Sequence, residues 1–442
     1  MRQTGSATRS TGDGALVIIV VRWGFAAVVV LAALIGFLFV TRGTVMRRVR
    51  GVGADGMPVA PSEPEFPLTV AMLTDSTLVA GNRVDLALNG DGTFDRLWSD
   101  LESATRSISL QLYYMGPGRV ADKLASVLSE RARAGVTILL LYDAFGASAL
   151  PRSYWAALRE TGVRAVAFRS LRFRNLWVVQ NRAHIRGIVV DARIGWTGGF
   201  GIDDKWLGDG RTRGQWRDTN VRFEGPAVRQ LQAAFVAAWT EATGALVSGR
   251  AVAQEQSAGV HAAALLATEP TLGSTSAERF LGMSIAGARS SLYVTNAYFA
   301  PDRSFTQLVA DAARRGVDVR ILVGGASTDV AITRLAARHR YDALLSAGVR
   351  VYEYAASTLH AKTFVVDGCW SSIGTMNFDN RSLSLNDECT LMVLDIEFGQ
   401  RMVAMFMEDL GFAMEIDLAT FRRRSWIVHI AEWAANLIAP LL

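Results

Sequence analysis

From Trp23 to Val40 the chain runs WGFAAVVVLAALIGFLFV, 18 residues without a charge. At about 1.5 Å of rise per residue that run matches a hydrocarbon layer of about 30 Å, so the pattern predicts one transmembrane helix. The apolar stretch ALVIIVV before it is closed by Arg22, whose aliphatic stem can reach the headgroups and mark the helix start. No small-x-small cleavage site follows Val40, and Arg42 comes almost at once, which favours a retained anchor over a removed signal peptide. Arg42, Arg47, Arg48 and Arg50 beyond the helix outnumber Arg2, Arg9 and Arg22 before or at its start, so the positive-inside rule leans toward a cytoplasmic body. GVGADGMPVAPSEPEFP then reads as a linker, and the folded body begins near residue 68.

Downstream the apolar runs shorten to strand length and begin to repeat. ERARAGVTILLLYD (Glu130 to Asp143) is echoed by DAARRGVDVRILVGG (Asp311 to Gly325), each a helix end, a glycine and a strand. ETGVRAVAF from Glu160 is echoed by SAGVRVYEY from Ser346. AHIRGIVVDARIGWTGG from Ala183 is echoed by LHAKTFVVDGCWSSIGT from Leu359, each a strand, a tight turn and another strand. The echoes fall in the same order, so the chain reads as a duplicated α/β unit whose equivalent loops meet on a pseudo-twofold axis. The tail after Arg422, Arg423 and Arg424 reads as an amphipathic helix, with His429, Glu432 and Asn436 on one face and Trp426, Ile430, Trp433 and Leu437 on the other. A basic cluster followed by tryptophans suits the surface of an anionic membrane.

The predicted division is therefore an anchor over 1–50 with its helix at about 23–40, a linker over 51–67, units over 68–250 and 251–420, and the tail over 421–442. Half of the residues are hydrophobic and a fifth are charged, enough for buried cores and against global disorder. The net charge of +5 favours anionic partners without choosing among them. Cys369 and Cys389 alone exclude a disulfide framework, and no Cys/His cluster has zinc spacing, so neither a metal nor another cofactor is suggested.

The chemistry sits in the last echo. His360, Lys362 and Asp367 form H-x-K-x-x-x-x-D, followed by Gly374, Thr375 and Asn377. On a strand, residues i and i+2 face one side, so His360 and Lys362 are expected to point at a common site. Imidazole can attack phosphorus or pass a proton, and an adjacent ammonium can neutralise phosphate oxygens. The first half offers His184, Arg186 and Asp191, with Gly198 and Gly374 each 14 residues after their histidines. Asp191 and Asp367 fall at strand ends, where they read as turn-shaping.

This pairing resembles the duplicated signature of the phospholipase D superfamily, whose members cleave or exchange phosphodiesters through a phosphohistidine without needing a metal. The likeness extends to bacterial cardiolipin synthases through NAYFAPDRSF (Asn296 to Phe305), AARHRYDALLSAGVRVYEY (Ala336 to Tyr354) and WRDTNVRFEGPAV (Trp216 to Val228), and spans about residues 90 to 442. It implies two fused phospholipase D-like units, each a mixed sheet flanked by helices, behind a single-pass anchor in a bacterial inner membrane. It further implies transfer of a phosphatidyl group onto phosphatidylglycerol. One histidine would be the nucleophile and the other the acid and base; precedent in the family gives His184 the first role, while the better-preserved motif around His360 leaves the assignment open. The family also supplies a downstream acid for each imidazole, here Glu388 in LNDECTLMV and Asp218 in WRDTN. The first motif departs from the pattern at Arg186 for lysine, Gly199 for serine or threonine, and Gly201 for asparagine. Attack by water instead would give a hydrolase, and decay of the first motif a lipid-binding protein without turnover. A nuclease ranks below these, because no basic stripe is interleaved with aromatics, and no nucleic acid partner is expected.

Overall fold

The computed structural model describes residues 11–441, apart from 42, 44, 47, 53–55, 170–180, 249–255 and 272, with side chains from residue 21 onward. Arg2, Arg9, Arg42 and Arg47, four of the charges in the positive-inside comparison, lie outside the described residues. One helix runs unbroken over Thr11–Val40. Arg22 therefore lies inside it and does not mark its start, since arginine is a good helix former and a single charge leaves the backbone ladder intact. Val21–Val40 is long and apolar enough to cross a membrane and is almost wholly exposed. The next helix, Phe66–Thr74, packs into the core of the second half, where Phe66 meets Trp370 edge to face at 5.1 Å.

The strands of the first half are β1 (Val79–Leu88), β2 (Ser107–Leu112), β3 (Thr137–Asp143), β4 (Arg164–Phe168), β5 (Gly187–Val190), β6 (Ile194–Gly198), the short β7 (Trp216–Arg217) and β8 (Thr219–Glu224). Those of the second are β9 (His261–Thr268), β10 (Ser291–Asn296), β11 (Asp318–Gly324), β12 (Arg350–Tyr354), the short β13 (Thr358–Leu359), β14 (Lys362–Val366), β15 (Trp370–Gly374), β16 (Glu388–Leu394) and β17 (Ala413–Glu415). Reading inward from the edge, the first half is ordered β4, β3, β2, β5, β6, β8, β1 and the second, inside β17, is ordered β12, β11, β10, β14, β15, β16, β9. The strand directions repeat as well: the first three of each series are parallel and the remainder antiparallel. Strands β1 and β9 then pair antiparallel, fusing both series into one 15-stranded sheet.

Helices cover both faces, which is why the central strands read as unbroken apolar runs. On one face of the first half, Ile108, Leu110 and Leu112 of β2 meet Leu97 and Leu101 of helix Asn89–Glu102 and Leu124 and Leu128 of helix Arg119–Arg133. The latter helix buries Val120, Leu124, Val127 and Leu128, the spacing of a single helical face, and Gly135 at φ +87° turns the chain just beyond its end. On the other face, Leu139 and Leu141 of β3 pack on Phe235 and Trp239 of helix Ala227–Thr243.

Asp191 and Asp367 sit at the far ends of β5 and β14 from the histidines, each at φ +51°. Asp191 accepts the backbone N–H groups of Thr105, Arg106 and Ser107 at 2.8, 2.7 and 2.9 Å. Asp367 does the same for Arg289, Ser290 and Ser291 at 3.0, 2.7 and 2.9 Å. The two carboxylates thus tie the entry of β2 and of β10 to the neighbouring hairpin. Burial acts to raise the Asp191 carboxyl, but the three N–H donors outweigh it and hold the group below its ordinary 3.8. Its contribution is present above that pH and is lost on acidification. Asp191→Ala and Asp367→Ala are each expected to cost about 1–3 kcal/mol of stability, seen as a lower midpoint of thermal unfolding in detergent; an unchanged midpoint in both would remove the clamp from the account.

Candidate active site at the seam of the two halves

Two short parallel contacts across the seam build the site. Strand β13 pairs with β7, placing Leu359 against Arg217, and the His360 N–H donates to the Arg217 carbonyl at 2.7 Å. At the equivalent place Ala183 bridges Asp387, whose N–H donates to the Arg182 carbonyl at 3.0 Å. Both histidines consequently lie in extended segments leading into β14 and β5 and not within those strands. The residue after each paired segment of one half, Asp218 or Glu388, is thereby laid beside the histidine of the other.

The result is an exchange of acids. His184 Nδ1 lies 2.9 Å from both carboxylate oxygens of Glu388, and His360 Nδ1 lies 2.8 Å from Asp218 Oδ2. Each histidine is held by the acid that follows the other histidine in the chain. With the proton on Nδ1 and bonded to a carboxyl oxygen, each ring keeps Nε2 for chemistry. Arg186 Nη1 lies 3.1 Å from His184 Nε2, and the Lys362 ammonium donates to the His360 carbonyl. Both cations are buried. Tyr113 packs edge-on against His184 at 4.8 Å, and Tyr298 against His360 at 6.3 Å.

The two acids have different surroundings. Burial pushes Glu388 up to about 8, against donors that include Thr375, whose hydroxyl lies 2.5 Å from Oε2. Burial also acts to raise Asp218, but His360, Lys362 and the Trp206 indole N–H pull it down to about 2. Burial and the guanidinium of Arg186 hold His184 well below 6.5. Burial and Lys362 take His360 down to about 3 against the pull of Asp218. Burial likewise brings Lys362 from 10.5 down to about 7, with Arg186 adding to the shift. Asn377 is 3% exposed and its Oδ1 has no hydrogen-bond partner among the described residues.

Of the sequence candidates, His184, His360, Arg186, Lys362, Glu388, Asp218 and Asn377 fall at or beside the seam, whereas Asp191 and Asp367 do not. Trp206, Tyr113 and Tyr298 belong to the site without having been singled out. The tyrosines had a signal: each follows a strand, β2 or β10, that pairs with the strand of a signature motif. Trp206 had none, because it lies outside the repeated segments.

Residues 282–410 match a family model described as the phospholipase D-like domain of cardiolipin synthase. A cardiolipin synthase of Geobacillus sp. (strain WCH70) is 36% identical over 361 residues, covering 80% of this chain and 71% of that protein. Cardiolipin synthase A of Pseudomonas syringae pv. syringae (strain B728a) is 32% identical over 365 residues, 82% of this chain and 76% of that one. Among solved structures, phosphatidylserine synthase of Haemophilus influenzae Rd KW20 superposes with a TM-score of 0.63 at 13% identity, over 85% of this chain and 99% of that one, a likeness of fold. The chain belongs to the cardiolipin synthase family of the phospholipase D superfamily and is a phosphatidyltransferase of that superfamily.

Because kcat/KM reports groups of the free enzyme, deprotonation of Lys362 is expected to draw its pH profile down above about 7. Lys362→Arg keeps its charge and should move that limb to higher pH while lowering the maximum, since the two cations are not interchangeable in a closed site. A profile of kcat/KM from pH 5 to 10 for both proteins measures this; an unmoved limb in the variant would assign it to another group.

Proposed function

We propose that the protein moves a phosphatidyl group from a donor phospholipid onto the hydroxyl of phosphatidylglycerol through a covalent phosphohistidine, giving cardiolipin. The crossed pairs at the seam carry this reading: two imidazoles, each anchored at Nδ1, both lie within the field of two buried cations, Arg186 and Lys362. His184 is the nucleophile. Its Nε2 attacks phosphorus, and the bond to the leaving alcohol breaks as that oxygen takes a proton from His360 Nε2. The acceptor hydroxyl then gives its proton back to His360, its oxygen attacks phosphorus, and the P–N bond breaks.

The division of roles rests on the unequal acids. Buried beside a carboxyl that is itself pushed up to about 8, His184 stays neutral and nucleophilic. His360 faces an ionised Asp218, the partner suited to an imidazolium. A bound phosphodiester brings negative charge against Arg186 and Lys362, offsets the field that depresses His360, and lets it carry the proton it must donate. Arg186 and Lys362 hold the phosphate oxygens, and the unpartnered Oδ1 of Asn377 accepts a headgroup hydroxyl.

The same reading includes an anionic bilayer as the surface on which the site works, with the body on the cytoplasmic side of a bacterial inner membrane. The tail supports it. In helix Trp426–Ile438 Glu432 and Ala435 turn toward the body, while His429 stays exposed: Glu432 is buried between Arg338, at 3.2 Å, and Arg424, at 2.7 Å. Trp426, Ile430, Trp433 and Leu437 face outward and are exposed. The carbonyl of Val40, the last residue of the apolar helix, and that of Pro440 both accept from Asn380 Nδ2, at 2.9 and 2.6 Å. The outward apolar face is therefore continuous with the foot of the membrane helix.

Purified protein given labelled phosphatidylglycerol in mixed micelles is expected to form cardiolipin, and His184→Ala or His360→Ala to lose on the order of 10²–10⁴ in rate. With a donor whose leaving group needs no proton, such as a nitrophenyl ester, His360→Ala should still build up an acid-labile phosphatidyl adduct on His184, detected by mass. Phosphatidic acid as the sole product would mean hydrolysis, and an adduct on His360 would reverse the roles. Separately, Trp426→Ser combined with Trp433→Ser should lower activity on phosphatidylglycerol vesicles several-fold more than on micelles; equal losses would argue against membrane docking by this face.

A further inference from the structure

The second half carries Thr375 and Asn377 where the first carries Gly199 and Gly201, at the same offsets from their histidines. Nothing larger than glycine fits the first half. A Cβ on Gly199 would lie 2.1 Å from Asp218 Oδ1, and one on Gly201 would lie 2.6 Å from both Cζ3 and Cη2 of Trp206. The space of an asparagine side chain is thus taken by an indole, 1% exposed, that reaches in from the loop beyond β6. Its Nε1–H donates to Asp218 Oδ2 at 2.8 Å, the same oxygen that holds His360 Nδ1. In the second half the matching service to Glu388 comes from the Thr375 hydroxyl. The indole ring also stands edge-on to the His360 ring at 5.4 Å and 87°, backed by Trp216 at 4.4 Å.

We propose that Trp206 is the positioning residue of the first half: its N–H fixes Asp218 for His360, and its ring fills the place left by the two missing polar side chains. The first motif is then rebuilt from outside itself and has not decayed. The two flanks of the site differ as a consequence, with an amide presented on the Asn377 side and an aromatic wall on the Trp206 side. The activity part of this proposal rests on the transferase reading, whereas its geometry does not.

Trp206→Phe keeps a ring and deletes the donor. It is expected to lower kcat by about 10–100-fold, the worth of one hydrogen bond to a buried charge, with KM for phosphatidylglycerol within about twofold of wild type. Ring-nitrogen NMR of protein labelled only in its five histidines reads the same contact without turnover. The His360 signals should move and those of His184 should not. A kcat within about twofold of wild type, or unmoved His360 signals, would overturn the proposal. Wild type that makes no cardiolipin while Trp206→Phe still moves the His360 signals would sink the transferase reading and leave this one standing. If Trp206→Phe does not fold, Gly201→Asn carries the test: alone it should displace the indole and lose activity, and Trp206→Ala added to it should restore part of the loss. Full activity in Gly201→Asn would contradict the filled space.

Discussion

Neither half can complete a histidine of its own. Glu388 reaches His184 and Asp218 reaches His360 only across the seam, so the exchange of acids makes the two halves one chemical unit. Much of the rest follows from that constraint. The pairing of β1 with β9 joins the two series into one sheet, which curls so that β15 and β16 lie against β6 and β8, and the β7–β13 contact sets the register that delivers Asp218 to His360. Arg217, one residue before, is itself fixed by two bonds to Asp409, at 2.8 and 2.6 Å. Such buried charges are tolerable because each has a partner; removing one partner of a buried pair commonly costs about 3–5 kcal/mol.

A duplicated frame does not produce a symmetric site. Apart from β17 the frame repeats strand for strand, and the turn carboxylates Asp191 and Asp367 each collect three successive backbone N–H groups, because they support structure that both halves need equally. At the seam the halves diverge: aspartate against glutamate, arginine against lysine, indole against hydroxyl. The proposed two-step transfer would ask for that difference. One imidazole must remain unprotonated to attack, and the other must hold a proton and then take one. Identical environments would give both rings the same proton affinity and leave neither suited to its task.

The frame was legible because local pattern and global fold agree. Glycine-terminated helices followed by β-branched runs stand in the same order in both halves, and no other arrangement buries those runs on two faces. The signature histidines and their cations were legible for a similar reason, as motif residues close together in sequence. The pairing of each acid with its histidine was not, since it depends on which segments meet across the seam, whereas in chain order Asp218 stands 34 residues after His184 and Glu388 28 after His360. Trp206 was hidden more deeply. It serves a carboxylate twelve residues later and fills a gap defined by the absence of side chains at Gly199 and Gly201, and an absence leaves no pattern to find. In the tail Glu432 faces protein, because Arg338 and Arg424 satisfy it there, and the apolar stripe is left outward, as the amphipathic pattern implied.

Asn380 brings these strands of reasoning to one place. It stands three residues after Asn377 and one after Asp379, whose carboxylate caps the short helix Asn380–Ser384 by accepting the Ser382 N–H at 2.8 Å. One amide nitrogen ties the foot of the apolar helix to the end of the tail, so these two segments converge beside a loop of the site. The proposed transfer would draw a headgroup out of a bilayer without drawing out its acyl chains, which would require the catalytic site to sit close to the interface. An anchor joined to the body by a free linker would leave that distance to chance. On the proposed membrane-bound reading, tying the helix end and the end of the tail to a single side chain beside the Asn377 loop would fix the height of the site over the bilayer by the same packing that forms the site.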